Sequence, residues 1–340
     1  MSEENRSMVK ALITGGTGFI GSHVVRALIT AGRTARVLHR QNSPLDLVEG
    51  LPIEHAIGDV MNISSLEQAM QGCQWVFHVA AVSDYWRSNR TKVYLVNVNG
   101  TVNVLNAARQ AGVQRVIFTS SATAVGFRAD GHPSDESVPF NLPPRQFPYG
   151  HSKYLAEQEV ARAVANGQDV VTLNPAAVFG PGDLNQISGS SVVELARGNV
   201  PIYPVGGMTV IDVRDVAAAH LAAAERGRTG ERYLLGTLDI SHKALGKLIA
   251  EIVGVAPAVI PVPAAVTPVV AFAAGLIRRA GVDLPIDENQ IRISARNIFF
   301  DCRKAGRELG EPQIDLRKSL LDTYNWYAER GIIEQRSLSA

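Results

Sequence analysis

A strand-like run, Val9 to Thr14, breaks directly into Thr14-Gly15-Gly16-Thr17-Gly18-Phe19-Ile20-Gly21, and a helical stretch from Gly18 to Ala31 follows at once. Gly16, Gly18 and Gly21 satisfy a Gly-x-Gly-x-x-Gly spacing, and Gly15 adds a Gly-x-x-Gly-x-x-Gly spacing. Three things demand glycine here: the tight turn, the approach of backbone to a pyrophosphate, and close packing of helix on strand. The helix N-terminus supplies partial positive charge. A strand before and a helix after the glycines predict a dinucleotide site rather than a bare turn.

Branched apolar runs then recur at Ala35 to His39, Ile53 to Ile57, Trp75 to Val79, Val113 to Thr119 and Val170 to Asn174. Helical stretches lie between them at Ser64 to Gln71, Tyr94 to Ala111 and Tyr149 to Ala165. Runs without polar alternation are buried parallel strands, joined by right-handed crossovers. The expected fold is α/β, a doubly wound parallel sheet of Rossmann type with a smaller, interleaved C-terminal substrate-binding region. Residues 1–174 form the dinucleotide-binding part, to which 208–237 return through a helix Asp212 to Arg226 and a strand Arg232 to Leu235. Residues 175–207 and 238–340 form the rest.

With 340 residues, of which 46% are apolar and 19% charged, the chain can build a sizeable core without metals or disulfides. Lys and Arg number 33 against 32 Asp and Glu, so no long-range field favours nucleic acid. Cys73 and Cys302 lie far apart with no metal-ligand spacing, so no metal site is read, and a reducing compartment is expected. Met1 to Arg6 does not read as a signal peptide, which makes the cytoplasm the expected location. Ala264 to Ile277 is apolar but falls short of the ~20 residues needed to span a bilayer. It is read as a buried or pocket-covering helix rather than a surface anchor.

An acidic residue ending the second strand would accept bonds from a free ribose 2′-hydroxyl. This chain offers His39 and Arg40 instead, and a guanidinium fork suits a 2′-phosphate, so NADP(H) is expected over NAD(H). Asp59, with Val60 beside it, follows the third strand and can meet an adenine amino group. Tyr149 and Lys153, at i and i+4, share one helix face. An ammonium beside a phenol favours phenolate, so this pairing predicts a phenol drawn below its usual value, suited to general acid/base work. The hydroxyls of Thr119, Ser120, Ser121 and Thr123 appear at a carboxyl end of the sheet, where ligands of such folds bind.

In this order, the glycine turn, the Ser/Thr run after the fifth strand and Tyr149-Gly150-His151-Ser152-Lys153 resemble the extended short-chain dehydrogenase/reductase family, from about Val9 to the carboxyl terminus. His78-Val79-Ala80-Ala81, Asn97-Val98-Asn99-Gly100-Thr101, and Asn174-Pro175 through Val178 to Gly180-Pro181 carry the same resemblance. It implies that Tyr149 moves the proton, Lys153 binds the nicotinamide ribose and tunes Tyr149, Ser121 bonds the substrate oxygen, and Asn97 belongs to a proton relay. It implies cofactor contacts at Gly15, Thr17, Gly18, Phe19, Ile20, Gly21, His39, Arg40, Asp59, Val60, Val79, Ala80, Ala81, Tyr149, Lys153, Pro175 and Val178. Substrate contacts are expected from Ser83, Tyr85, Trp86, Ser121, Thr123 and Phe179, with Tyr203 a further candidate.

Within the family, His39-Arg40 and the spacing look like the dihydroflavonol 4-reductase branch and its NAD-dependent epimerase/dehydratase-like bacterial relatives. Met208 stands where many nucleotide-sugar epimerases carry a diphosphate-clamping arginine, which argues for a less charged substrate. The expected activity is NADP(H)-dependent reduction of an aldehyde, ketone or ketol-like small molecule. A nucleotide-sugar epimerase or dehydratase is the alternative, and a non-catalytic NADP-binding module is a third reading. The two helices Tyr94 to Ala111 and Tyr149 to Ala165 suit a homodimer.

Overall fold

Alternation of side chains across a strand gives each central strand two buried faces, and the structure uses both. In this computed structural model, which describes residues 9–83, 88–128, 130–199, 202–256, 260–263, 265–281 and 288–334, Ala11 and Ile13 face one core while Leu12 between them faces another. Trp75 and Phe77 oppose Val76, and Ile117 opposes Val116 and Phe118, in the same way. Burial of each branched side chain contributes ~1.5–3 kcal/mol, so the strands are apolar along most of their length and carry buried polar residues such as Thr14, His78 and Thr119 at their carboxyl ends.

The chain runs β1 (Lys10–Thr14), α1 (Phe19–Thr30), β2 (Thr34–His39), β3 (Glu54–Ile57), α2 (Ile63–Met70), β4 (Trp75–His78), α3 (Arg90–Tyr94), a π-helical turn (Leu95–Asn99), α4 (Gly100–Gln110), β5 (Arg115–Thr119), α5 (Pro148–Ala165) and β6 (Val170–Pro175). It continues through β7 (Ala177–Phe179), α6 (Ser190–Ala196), β8 (Ile202–Pro204), β9 (Gly207–Asp212), α7 (Val213–Arg226), β10 (Arg232–Leu235), β11 (Leu238–Ser241) and α8 (His242–Val253). It closes with β12 (Ile260–Val262), α9 (Thr267–Arg279), α10 (Glu288–Ser294), β13 (Asn297–Ile298), α11 (Arg303–Leu309) and α12 (Leu316–Glu329).

The main sheet is seven-stranded and parallel, in the order β10-β6-β5-β4-β1-β2-β3. Strand order reverses between β1 and β4, the switch point at which such sheets open a crevice. Residues of α1 and α7 line one core, and residues of α2, α4 and α5 the other. Strands β7, β9, β11 and β13 form a second sheet, and β8 with β12 a two-stranded third. Phe179, Val192, Leu245, Leu320 and Tyr327 centre a third core around α6, α8 and α12.

Two expectations change. The stretch expected as one helix from Tyr94 to Ala111 is broken by the π turn, with Asn97 buried inside it. The apolar stretch expected to be a buried or pocket-covering helix forms α9, which is not buried throughout: its Val269 and Phe272 are 66% and 60% exposed. Its inward side is taken by the small residues Ala271 and Ala274, which leaves the large side chains outside. No helix among the described residues is long and apolar enough to cross a membrane.

Candidate active site

The glycine turn sits at the switch point. Gly15 holds φ +71°, and a Cβ there would lie 2.7 Å from the Ala80 nitrogen at the end of β4. A Cβ on Gly16 would meet Val37 of β2 at 2.8 Å, and one on Gly21 would overlap the Gly15 carbonyl. The turn is therefore pressed against both neighbouring strands and against its own helix, and any side chain would fill it. Asn62, Asp212, Ser241 and Asp315 close the first turns of α2, α7, α8 and α12 with side-chain hydrogen bonds, whereas Gly18 leaves that of α1 without one. The free N–H groups of α1 thus point into a cradle shaped for an anionic, side-chain-free approach.

A buried chain of hydrogen bonds fixes the far wall. The Ala80 amide donates to Thr14 Oγ1 (3.3 Å), Thr14 donates to His78 Nδ1 (2.8 Å), His78 Nε2 donates to Thr101 Oγ1 (3.0 Å), and Thr101 donates to the Asn97 carbonyl (2.7 Å). The directions follow because the one proton of Thr101 goes to a carbonyl. The Asn97 side chain clamps the main chain of Val82 through both its groups (2.8 and 3.1 Å) and donates to Ser152 Oγ (3.0 Å). Asn97 therefore ties the loop after β4 to the helix that carries Tyr149.

Burial draws His78 down to about 3, and His220, held by Thr119 Oγ1 and the Val216 carbonyl at 2.7 Å each, to about 4. Both are neutral when folded, while the unfolded chain takes up their protons below about 6.5. Stability is expected to fall as pH drops through that value toward 4. A His220→Gln variant should flatten the fall in melting temperature between about pH 7 and pH 5, and an unchanged slope would refute this origin.

Ser121 caps the short 3₁₀ turn Ala122–Ala124 that follows β5. Its hydroxyl accepts from the Thr123 amide (3.2 Å), lies 2.9 Å from Thr123 Oγ1, and shares a hydrogen bond with the Tyr149 phenol. The backbone of α5 can come this close because residue 150 is glycine: a Cβ there would lie 2.6 Å from the Thr123 carbonyl. One turn on, Lys153 is 2% exposed; its Nζ donates to the Thr119 carbonyl (2.7 Å) and lies 4.8 Å from the Phe118 ring centre. Tyr149, Ser121 and Lys153 are thus brought together at the carboxyl end of β5.

The direction of the phenol shift is a correction. Proximity of Lys153 predicted a lowered value, but burial dominates and pushes Tyr149 up to about 12, with the Ser121 hydrogen bond opposing in part. Burial likewise draws Lys153 down to about 7, with the Glu157 charge pulling the other way. The ammonium spends its bond on a carbonyl, so it does not offset the desolvation of the phenol.

Glu157, one turn beyond Lys153, was missed in the sequence. Its carboxylate accepts from Ser120 Oγ, from Asn174 Nδ2 (2.6 Å) and from Arg232 Nη1 (3.0 Å), while Asn174 Nδ2 also donates to the Ser121 carbonyl (2.9 Å). The i, i+4 spacing from Lys153 was the available signal. Its partners come from the residue just after β5, from β6 and from β10, which no local pattern joins.

On the other side of the crevice, His39 Nδ1 bonds the Arg40 carbonyl (3.0 Å) and its Nε2 lies 3.1 Å from His55 Nδ1. Arg40 is exposed, and among the described residues its guanidinium has no partner. Asp59 Oδ1 accepts the Met61 amide (2.9 Å), and Val60 is buried. Thr17, Phe19, Ile20, Val79, Ala80, Ala81, Ser83 and Thr123 are half-buried, with Phe19, Ile20 and Val79 packed against the α1 core and Ala80 against the other. Pro175 ends β6, and Val178 is buried in the α1 core. Phe179 is 3% exposed and packs with Val192 and Val193, so it serves the core of the second lobe. Tyr85 and Trp86 lie outside the described residues. His151 turns to Tyr94, whose hydroxyl lies 2.9 Å from its Nδ1. A cavity of about 720 Å³ opens elsewhere, between α7 and α11, lined by Thr209, Thr237, Asp239 and Cys302, and is not part of this site.

Comparison with known proteins shows the family of the chain. The model of the NAD dependent epimerase/dehydratase family matches residues 11–236. A putative dihydroflavonol 4-reductase of Synechocystis is 37% identical over 333 residues, covering 95% of each chain. Sterol demethylase protein B of Methylococcus capsulatus is 30% identical over 95% of this chain and 99% of its own. The crystal structure of a nucleoside-diphosphate-sugar epimerase from Pseudomonas aeruginosa superposes with a TM-score of 0.80 at 27% identity, over 96% of this chain and 99% of that one.

Proposed function

The chain belongs to the NAD-dependent epimerase/dehydratase family of extended short-chain dehydrogenases/reductases, and from that premise we propose that it is an NADP(H)-dependent carbonyl reductase. One observation carries the reading: the Tyr149 phenol is bonded to the Ser121 hydroxyl, one helical turn from the buried Lys153. A protonated phenol is a general acid, the role a carbonyl oxygen needs as it is reduced.

The glycine cradle, from which a Cβ is excluded at Gly15, Gly16 and Gly21, fits a pyrophosphate held by Gly15, Thr17, Gly18 and the first turn of α1 through Phe19, Ile20 and Gly21. Asp59 and Val60 would flank the adenine, Val79, Ala80 and Ala81 the sugar-phosphate, Lys153 the second ribose, and Pro175 and Val178 the nicotinamide. When bound, reduced nicotinamide supplies a hydride to a carbonyl carbon. Ser121 Oγ and the Tyr149 hydroxyl converge on one substrate oxygen, where negative charge grows, and Tyr149 gives up its proton to that oxygen. Lys153, drawn down to about 7 by burial, stands one helical turn from the phenol with its Nζ on the Thr119 carbonyl. Asn97 acts as a positioning residue, through Ser152 and Val82. Ser83 and Thr123 meet the rest of the substrate.

Arg40 supports the choice of NADP(H), since its guanidinium stands free beside the end of β2. A charge-assisted bond to a 2′-phosphate is worth about 1.5–3 kcal/mol, or roughly 10–100-fold in affinity. Arg40→Ala should therefore weaken NADP by that factor and leave NAD unchanged in a fluorescence titration; equal losses for both would defeat the assignment.

A nucleotide-sugar epimerase is the second reading, favoured by the resemblance to the Pseudomonas enzyme. Met208, on β9 between Ile240 and Ile298, gives a diphosphate no cation. A purely binding module would have no use for the Tyr149 and Lys153 pair. A panel of aldehydes, ketones and nucleotide-sugars with both cofactors separates the readings: net loss of nicotinamide absorbance with a simple carbonyl supports the reductase, and sugar interconversion without it supports the epimerase.

A further inference from the structure

Tyr149, Lys153 and Glu157 are spaced four apart on α5, which puts them on one helix face. They meet three consecutive residues where β5 ends. Lys153 Nζ donates to the Thr119 carbonyl (2.7 Å), Ser120 Oγ donates to Glu157, and the Tyr149 phenol shares its hydrogen bond with Ser121. Asn174 of β6 adds a fourth tie, donating through Nδ2 both to the Ser121 carbonyl (2.9 Å) and to Glu157 Oε1 (2.6 Å). Glu157 therefore holds Ser120 directly and Ser121 through Asn174.

The two oxygens of this buried carboxylate have separate duties. Oε2 takes Arg232 Nη1 of β10 (3.0 Å), while other nitrogens of that guanidinium go to the main-chain carbonyls of Glu136 and Val138. A plain link between α5 and β10 would need nothing more. Oε1 stays out of that link and takes two neutral donors from the stretch that carries Ser121. An amide oxygen would satisfy such donors without the cost of burying a charge. The charge finds its use at Lys153, one helical turn back, where neighbouring side chains are about 5–6 Å apart at Cβ. There it opposes the burial that drives the proton off the amine. Among the other groups around that amine, His78 of β4 and Tyr149 are neutral at about pH 7, and Phe118 and Thr119 of β5 offer a ring face and a carbonyl. Arg232 gives its charge to Glu157 itself.

We propose that Glu157 is a positioning residue of this site, holding Ser120 and Ser121 against α5 and setting an opposite charge beside Lys153. This role rests on the carbonyl-reductase reading for its effect on turnover, but not for its effect on Lys153. With carbon-13 at the lysine ε-carbons, NMR follows the Lys153 titration in the full chain, and the signal is identified by its absence from Lys153→Met. Glu157→Gln keeps an oxygen for Ser120 and Asn174 but removes the charge, so the Lys153 midpoint should move about 1 pH unit below that of wild type. Glu157→Asp keeps the charge one methylene short of its partners, and the midpoint should move by less than half as much. In both variants kcat for carbonyl reduction at about pH 7 should fall at least ~5-fold, with NADPH affinity held within ~3-fold, since neither changes a cofactor contact. A Lys153 midpoint unmoved in Glu157→Gln would overturn the proposal. So would wild-type kcat in either variant, which lets Glu157→Asp decide alone where Glu157→Gln does not fold. A wild type that reduces no carbonyl compound would sink the reductase reading instead, while a shifted midpoint would still uphold the hold of Glu157 on Lys153.

Discussion

Tyr149→Phe should lower kcat for carbonyl reduction by ~10²–10⁴-fold, the usual worth of a positioned proton donor. The ring itself keeps its packing, and what is lost is one hydroxyl and its hydrogen bond to Ser121. A single such bond contributes ~0.5–1.5 kcal/mol, so melting should shift by only a few degrees and NADP(H) affinity should hold. Steady-state kinetics alongside a cofactor titration checks both halves. Turnover like that of wild type would remove Tyr149 from the chemistry, and a parallel loss of cofactor affinity would recast it as a binding residue. The raised phenol value also predicts an asymmetry: alcohol oxidation, which needs phenolate, should gain more from alkaline pH than reduction does.

Lys153→Met should separate activity from stability. The thioether matches the buried length of the side chain but removes the bond to the Thr119 carbonyl and the charge beside Tyr149. Turnover should fall ~10²-fold or more. In wild type, burial draws Lys153 from 10.5 to about 7, so between those values the unfolded chain holds the proton more firmly than the folded one. Linkage then makes wild-type stability rise with pH across that window, and the variant should lose this rise. Melting curves at about pH 7 and pH 9 report it directly. Glu157 keeps Ser120, Asn174 and Arg232 as partners, so the substitution does not strand a buried carboxylate. A variant with near-normal turnover, or with the same pH slope as wild type, would contradict the role assigned to Lys153.

The main sheet was legible because each of its central strands had to be apolar on both faces, as Ala11, Leu12 and Ile13 illustrate. The glycine turn was legible because overlap with Val37, Ala80 and Gly15 itself leaves no other residue possible. Tyr149 and Lys153 could be read from helix periodicity. The sign of the Tyr149 shift could not, since it depends on how deeply both groups are buried and on where the ammonium points. Glu157 was hidden for a related reason: its partners come from three places far apart in the sequence, Ser120, Asn174 and Arg232. The second sheet was illegible because β7 and β13 are very short and pair with β9 from distant positions. For α9, hydropathy flagged the segment but not its orientation. The pattern of small residues at Ala271, Ala274 and Gly275 held that information, since a helix that packs on its small side must expose its large one.

The central claim is that Tyr149 and Ser121 converge on one carbonyl oxygen beside a bound nicotinamide, with Lys153 one helical turn away. Its most direct test is turnover with NADPH deuterated at the transferable position of the nicotinamide, using whichever carbonyl compound consumes cofactor. The account predicts one deuterium on the carbinol carbon of the product for each cofactor oxidised, with both lost together in Tyr149→Phe. Deuterium that stays on the cofactor while a nucleotide-sugar is interconverted, with no net oxidation, would contradict it.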